Sequence, residues 1–211
     1  MTKHLNIIFI RHGLIDSNTA GIYCGCRTDE GLCEAGIRDV REKRDDIRRL
    51  VGRISSGGPV RFFSGPMKRV RQTADILFED VTMTVIRQFT EIDFGDFEGK
   101  SAKELTKSDP RYQKWIDSNG ELPFPSGESH EELIARTLDG LRDVIRQSED
   151  GDTAVIVCHG GTVMAAMSAI SDTGFYEADV ENLGGYAIKI TTDDERILDI
   201  SYERIGGGSD T

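Results

Sequence analysis

Leu5-Asn6-Ile7-Ile8-Phe9-Ile10-Arg11-His12-Gly13 is the stretch on which the reading of the fold turns. Its first part, 5–10, is an apolar run that reads as a buried strand. An Arg-His pair where a strand gives way to a loop suits anion chemistry. Ligands of α/β proteins gather outside the carboxyl ends of parallel strands, and a following helix turns backbone N–H groups toward an anion. Asn18 follows five residues later. Taken alone, the Arg-His-Gly triplet is equally compatible with an arginine paired to a surface acid and a histidine bonded to a backbone carbonyl. The rest of the chain has to decide.

Working outward, residues 60–63 form a short apolar strand, 81–86 a β-branched one, and 153–157 a nearly all-apolar one suited to the middle of a parallel sheet. Strands at 186–191 and 197–203 are joined by the acidic turn Asp193-Asp194-Glu195. Between them the period lengthens to that of helices. One covers 33–50, with Ile37, Val40, Ile47 and Leu50 near one face. A second opens with Pro66 and runs to about residue 78. A third covers 129–147 with Leu133, Leu138, Leu141 and Ile145, and a fourth 162–171. Residues 20–25 and 55–59 read as an irregular loop and a turn. From 90 to 99 comes a loop rich in glycine and acid. Short helices broken by Pro110, Pro123 and Pro125 follow, a cap inserted over about 96–127. The alternation predicts an α/β fold, a three-layer α/β/α sandwich with a mostly parallel central sheet and a small helical cap. It fills one domain over 1–205, with a loose tail at 206–211.

At 211 residues the chain can bury a substantial core, and 37% hydrophobic against 30% charged residues is a globular balance. The net charge of −11 argues against nucleic acid or an anionic membrane as partner. It also makes any local cluster of arginine purposeful. With no apolar signal core and no run near 18 apolar residues, the expectation is a cytoplasmic protein. In that compartment Cys24, Cys26, Cys33 and Cys158 are expected as thiols, and their spacing matches no standard zinc knuckle. Nothing fixes the oligomeric state, a dimer being one option.

Three strand ends then matter together: the first leads to Arg11-His12, the second to Arg69 in the opening turn of its helix, and the 153–157 strand to His159. If these strands are parallel neighbours, two arginines and two histidines emerge at one edge, beside helix N-termini. Such a pocket suits a phosphoryl group, whose oxygens match the guanidinium fork. For each residue alone there is a plainer account: Arg69 between Lys68 and Arg71 as an exposed face, His159 as a helix cap.

Four segments in order resemble the histidine phosphatase superfamily, the phosphoglycerate-mutase-like fold. They are Arg11-His12-Gly13 with Asn18, Ser64-Gly65-Pro66-Met67-Lys68-Arg69, Glu91-Ile92-Asp93-Phe94-Gly95-Asp96-Phe97-Glu98-Gly99, and Val157-Cys158-His159-Gly160-Gly161. The resemblance implies that His12 is the nucleophile, forming a phosphohistidine. Arg11, Arg69 and His159 hold the phosphoryl oxygens, assisted by Asn18 and Gly160. Glu91 is the acid and base, which requires partial burial to raise its pKa. Asp93, Asp96 and Glu98 compete for that role. No metal or other cofactor is needed, since the arginines supply the positive charge.

The chain departs from the family pattern at Leu14 and Ile15, where an acid and a small hydroxyl residue are common, at Gly65, usually Ser, and at Met164, often Arg. The cap cations Lys100, Lys103, Lys107, Arg111 and Lys114 are interleaved with Glu104, Asp109, Asp117 and Glu121, as on a solvated helix surface. A mutase would need paired cations there to grip a carboxylate. The expectation is therefore a metal-independent phosphomonoesterase acting on a small phosphorylated metabolite. The acid loop and Pro125-Ser126-Gly127-Glu128-Ser129 look most like the α-ribazole phosphatase branch, which points to α-ribazole 5'-phosphate. The alternatives are a cofactor-dependent phosphoglycerate mutase and a non-catalytic member that binds phosphorylated ligands. Phe94, Phe97, Trp115, Phe124 and Tyr23 are candidates for an apolar side of the pocket.

Overall fold

The computed structural model describes residues 2–193 and 196–206. Of the expected acidic turn, Asp194 and Glu195 lie outside the described residues, as does the expected tail beyond Gly206. The strands are β1 (Thr2–Arg11), β2 (Val60–Ser64), β3 (Thr84–Val85), β4 (Thr153–Cys158), β5 (Gly185–Asp193) and β6 (Arg196–Ile205). The helices are α1 (Asp16–Ala20), α2 (Glu34–Ser55), α3 (Lys68–Leu77), α4 (Ala102–Ser108), α5 (Pro110–Asp117), α6 (His130–Arg146) and α7 (Gly160–Ile170). The sheet order is β3-β2-β4-β1-β5-β6, with β3, β2, β4 and β1 parallel and β5 reversed against β1.

The pleat of β1 sorts its side chains between two cores. Ile7 and Phe9 face Leu141, Val144, Val163 and Met167 of α6 and α7. Ile8 and Ile10 face Val40, Ile47, Val70 and Leu77 of α2 and α3. A strand covered on both faces takes apolar residues at consecutive positions, which is why 7–10 reads as an unbroken run. Each such side chain taken out of water contributes roughly 1.5–3 kcal/mol. These two layers of helix enclose the sheet, and a third cluster gathers Phe97, Leu105, Tyr112, Trp115 and Phe124 of the cap against Leu133 and Ala165.

Helix α2 runs to Ser55 rather than 50, α7 opens at Gly160 rather than 162, and two further shifts have a local cause. The helix after β2 begins at Lys68 rather than Pro66, because Met67, its N-cap, is still extended at ψ 151°. The strand expected over 81–86 shrinks to Thr84–Val85, since this segment borders the sheet edge and leaves Val81 and Val85 exposed. Its β-branched residues have no second surface to pack on.

Candidate active site

The pairing register places the ends of three strands level: Arg11 lies opposite Cys158, and Ser64 opposite Val157. Backbone bonds carry the alignment one residue further, His12 N–H donating to the Cys158 carbonyl (2.9 Å) and Gly65 N–H to that of Val157 (3.0 Å). His12 and His159 are thereby held edge to face, with ring centroids 5.3 Å apart.

His12 Nδ1 lies 2.7 Å from the Gly13 carbonyl. A carbonyl only accepts, so Nδ1 carries the proton and Nε2 keeps its lone pair. Burial, aided by the charge on Arg69, pushes the imidazole down to about 3. The ring is therefore neutral at pH 7, as a nucleophile must be. Burial also holds His159 well below the usual histidine range. His159 is the N-cap of α7, and neither of its ring nitrogens has a hydrogen-bond partner.

Arg69 is 0% exposed, which overturns the exposed-face reading, while its neighbours Lys68 and Arg71 do point outward. Its guanidinium donates to the carbonyls of Thr28 (3.0 Å), Cys24 (3.3 Å) and Gly25 (3.2 Å), and its Nε has no partner. Arg11 donates to the Val180 carbonyl (2.5 Å), sits 3.7 Å from Asp179, and likewise keeps Nε unpaired. It lies against Gly160, where an added Cβ would come within 3.3 Å of its Nε and Cζ.

Glu91 is 8% exposed, its Oε2 3.9 Å from His159 Nδ1. Burial raises its pKa and outweighs the hydrogen bonds from Ile92 and Gly161 N–H that favour the carboxylate. The three competing acids are engaged elsewhere: Asp93 with Arg27, Asp96 with Arg111, and Glu98 with Gly25 N–H. Asn18, in α1, accepts at Oδ1 from Ile15 N–H (3.4 Å) and from Asn182 Nδ2 (3.3 Å). Asn182 also donates to the His12 carbonyl (2.9 Å).

His12, Arg11, Arg69, Glu91, His159 and Gly160 are thus gathered at one sheet edge, with Asn18 tied in through Asn182. A cavity of about 370 Å³ opens from Arg11, Glu91 and Gly160 toward the cap. Tyr23, Phe94, Trp115 and Phe124 line it; Phe97 does not, being fully buried beneath them. None of the cap lysines lines the cavity, and Arg111 is occupied by Asp96 and Asp109. Met164 also lines it, as do His130, Phe175, Tyr176 and Asp179, four residues not legible in the sequence. Neither was Arg136, which grips Glu128 (2.6 Å) and donates to the carbonyls of Gln88, Thr90 and Glu91.

Of the departures from the family pattern, those at Gly65 and Ile15 have local causes, and nothing in the structure explains the side chains at Leu14 and Met164. A Cβ at Gly65 would stand 2.5 Å from the Phe89 carbonyl, so a serine does not fit there. Ile15 is buried, and the Leu14 carbonyl accepts from Cys33 N–H (3.2 Å). Cys33 caps α2 through Gly36 N–H, and all four cysteines are thiols. Among the described residues no three His, Cys, Asp or Glu side chains group closely enough to hold a metal ion, and no helix is long and apolar enough to cross a membrane.

The family model for the histidine phosphatase superfamily (branch 1) matches residues 7–201. The chain belongs to this family. As a member it is a histidine phosphatase, and its fold is the phosphoglycerate-mutase-like one. It is 30% identical over 167 residues to an uncharacterised phosphatase, PhoE, of Bacillus subtilis, covering 78% of this chain and 77% of that one. It spans only 44% of the length of three mycobacterial relatives at 28% identity. A phosphoserine phosphatase from Entamoeba histolytica superimposes with TM-score 0.72 at 24% identity, over 93% of this chain and 96% of that one. A putative α-ribazole-5'-P phosphatase from Escherichia coli does so with TM-score 0.73 at 17% identity, over 96% of each.

Proposed function

We propose that the chain is a metal-independent phosphomonoesterase that works through a phosphohistidine at His12 on a small phosphorylated metabolite. The observation that carries this is the His12 tautomer: a neutral ring, its Nδ1 proton held by Gly13, presents Nε2 beside Arg11, Arg69 and His159. In the first half-reaction the phosphoryl oxygens rest on the two guanidinium groups and on His159, while Asn18 adds a donor. Nε2 attacks phosphorus, the bond to the leaving oxygen breaks, and Glu91 delivers its proton to that oxygen. In the second, the Glu91 carboxylate takes a proton from water, whose oxygen attacks phosphorus as the P–N bond breaks. Positioning and electrostatics carry most of phosphoryl transfer, so the arginines should matter about as much as the nucleophile.

The cavity wall bears on the substrate. It offers aromatic rings and no lysine to bind a carboxylate, which favours α-ribazole 5'-phosphate over phosphoserine or phosphoglycerate as the first compound to assay. The test is phosphate release from a panel of these esters and an aryl phosphate, with EDTA present, alongside trapping of the phosphoenzyme. Release that disappears in His12→Ala supports the reading. Negligible hydrolysis with rapid exchange between phosphoglycerates would replace it with a mutase, and binding of phosphate esters without turnover by a non-catalytic member.

A further inference from the structure

Rings alone accept a neutral aromatic group and an organic cation alike, so the charge of the cavity wall has to separate the two. Tyr23 stands edge to face on Phe94, and Phe94 on Phe124, each pair at 5.0 Å, so their planes turn like adjoining walls of a box. Trp115, Phe175 and Tyr176 extend the lining. The face of an aromatic ring is the negative end of its quadrupole and attracts a cation. Asp179 lines the same cavity with a side chain 64% exposed. Among the described residues its carboxylate accepts no hydrogen bond, and the cation it faces is Arg11, at 3.7 Å. Arg204 approaches as well, but it donates to the Asp179 backbone carbonyl (2.7 Å) and does not line the cavity.

The charge count changes when an ester arrives. A phosphoryl dianion brings two negative charges, which Arg11 and Arg69 offset. Glu91, as the proton donor, enters with its proton, and burial lowers the pKa of His130, so neither adds a charge to the wall near neutral pH. With Arg11 drawn to the phosphoryl group, Asp179 keeps one negative charge beside the leaving group. Among the described residues no other arginine and no lysine lines the cavity to meet it. A carboxylate on the leaving group adds to that charge, a neutral ring leaves it standing, and an ammonium brings the count to zero. At about 370 Å³ the cavity has room for a trimethylammonium group.

We infer that the cavity takes an alkylammonium leaving group, its cation held between the ring faces and the Asp179 carboxylate, and that Asp179 is the specificity residue that selects it. The inference rests on the phosphomonoesterase reading above and names the ester class of the same site. Hydrolysis then consumes water and releases an amino alcohol and phosphate.

The experiment uses two esters alike in shape and different in charge: choline phosphate and dimethylbutyl phosphate, in which a quaternary carbon replaces the nitrogen. Phosphate release with EDTA present gives kcat and KM for both, and for glycerol phosphate, α-ribazole 5'-phosphate and an aryl phosphate. Trp115 is the only tryptophan in the chain and lines the cavity, so its emission reports binding without turnover. KM for the choline ester should lie about tenfold below that of its carbon analogue, the joint worth of the ring and carboxylate contacts. In Asp179→Asn, which keeps the shape and removes the charge, the ratio should fall to about threefold, the share of the rings. Equal KM values for the pair, or a ratio that Asp179→Asn leaves unchanged, overturn the inference while the phosphatase stands. So does a lower KM for glycerol phosphate or α-ribazole 5'-phosphate than for the choline ester, or hydrolysis of the aryl ester alone. Where no ester is hydrolysed the phosphatase reading fails, and Trp115 emission then decides the site separately. A response to choline phosphate but not to its carbon analogue upholds the ammonium site, and equal responses or none overturn it. Should Asp179→Asn not fold, the ester pair on the unmodified chain still decides the charge preference.

Discussion

Gly161→Ala probes the acid with the smallest possible change. Gly161 is the second residue of α7, and its φ is not positive, so the backbone accepts alanine, which a helix prefers by about 1 kcal/mol. The added Cβ, however, would stand 2.2 Å from Glu91 Oε1 and 3.3 Å from its Cδ. That first distance is more than an ångström short of ordinary contact, so the carboxyl must swing away. Glu91 lines the cavity, which gives the carboxyl room to move. Two things follow. The acid loses its place against the leaving oxygen, and a displacement of about 1 Å costs on the order of 10²-fold in rate, about 2.7 kcal/mol of barrier. It also gains water, so its pKa drops toward the carboxylate range and less of it is protonated at pH 7. The assay is kcat/KM for an alkyl and an aryl phosphate between pH 5 and 9. Alkyl ester hydrolysis should fall about 10²-fold and its basic limb should move to lower pH. The aryl ester, whose leaving group needs little protonation, should change about threefold or less. Equal losses on both esters would refute the assignment of Glu91 as proton donor, and an unchanged alkyl rate would refute the placement of its carboxyl.

His12→Ala should abolish both turnover and phosphoenzyme while altering acid stability in a definite direction. The folded-state pKa of His12 is lowered from 6.5 to about 3, so below pH 6.5 the unfolded chain takes a proton that the folded one refuses. Stability is lost as pH falls through that window, by about 1.4 kcal/mol per unit for this group; urea midpoints at pH 6.5 and 5 should therefore fall less in His12→Ala than in the parent. Arg136→Met frees the loop that carries Glu91, because five hydrogen bonds from that guanidinium disappear. It should lower alkyl ester hydrolysis about tenfold more than aryl, with part of the loss restored in Arg136→Lys; an unaltered ratio would make Arg136 purely structural. Asn182→Ala removes the donor that joins the His12 carbonyl to Asn18, and should raise KM for every ester by about tenfold with the alkyl-to-aryl ratio unchanged.

How much of this was legible depended on whether a residue's role is local. The runs at 5–10 and 153–157 announced themselves because β1 and β4 are covered on both faces, and strands in that position cannot alternate. His12 and His159 follow those strands directly, so finding the strands found the site. Arg69 was legible through its segment, though its complete burial was not: between Lys68 and Arg71 it looks like one more surface cation, and only the carbonyls of a loop some 40 residues earlier explain it. Asn182 and Asp179 belong to a stretch with no hydrophobic period. They reach the site because β5 runs antiparallel beside β1, a pairing between residues more than 170 apart. Arg136 occupies what reads as the polar face of an amphipathic helix, and nothing in its neighbours marks it as the anchor of the acid loop.

Burial is one cause with three consequences in this site. It keeps the His12 and His159 rings neutral and raises the pKa of Glu91. The fixed positive charges beside the His12 ring are then Arg11 and Arg69, and neither has a firm counter-ion among the described residues. Among the described residues, Arg69 is balanced by the dipoles of three carbonyls. Arg11 has Asp179 at 3.7 Å, an acid whose side chain is 64% exposed, and ion pairs so open to water contribute only about 0–1 kcal/mol. A phosphoryl dianion supplies what both arginines lack, in the bidentate geometry that guanidinium groups prefer. In the proposed function, recognition of the phosphoryl group would then be set by two under-compensated arginines, and discrimination among esters would be left to the ring-lined cavity beyond them.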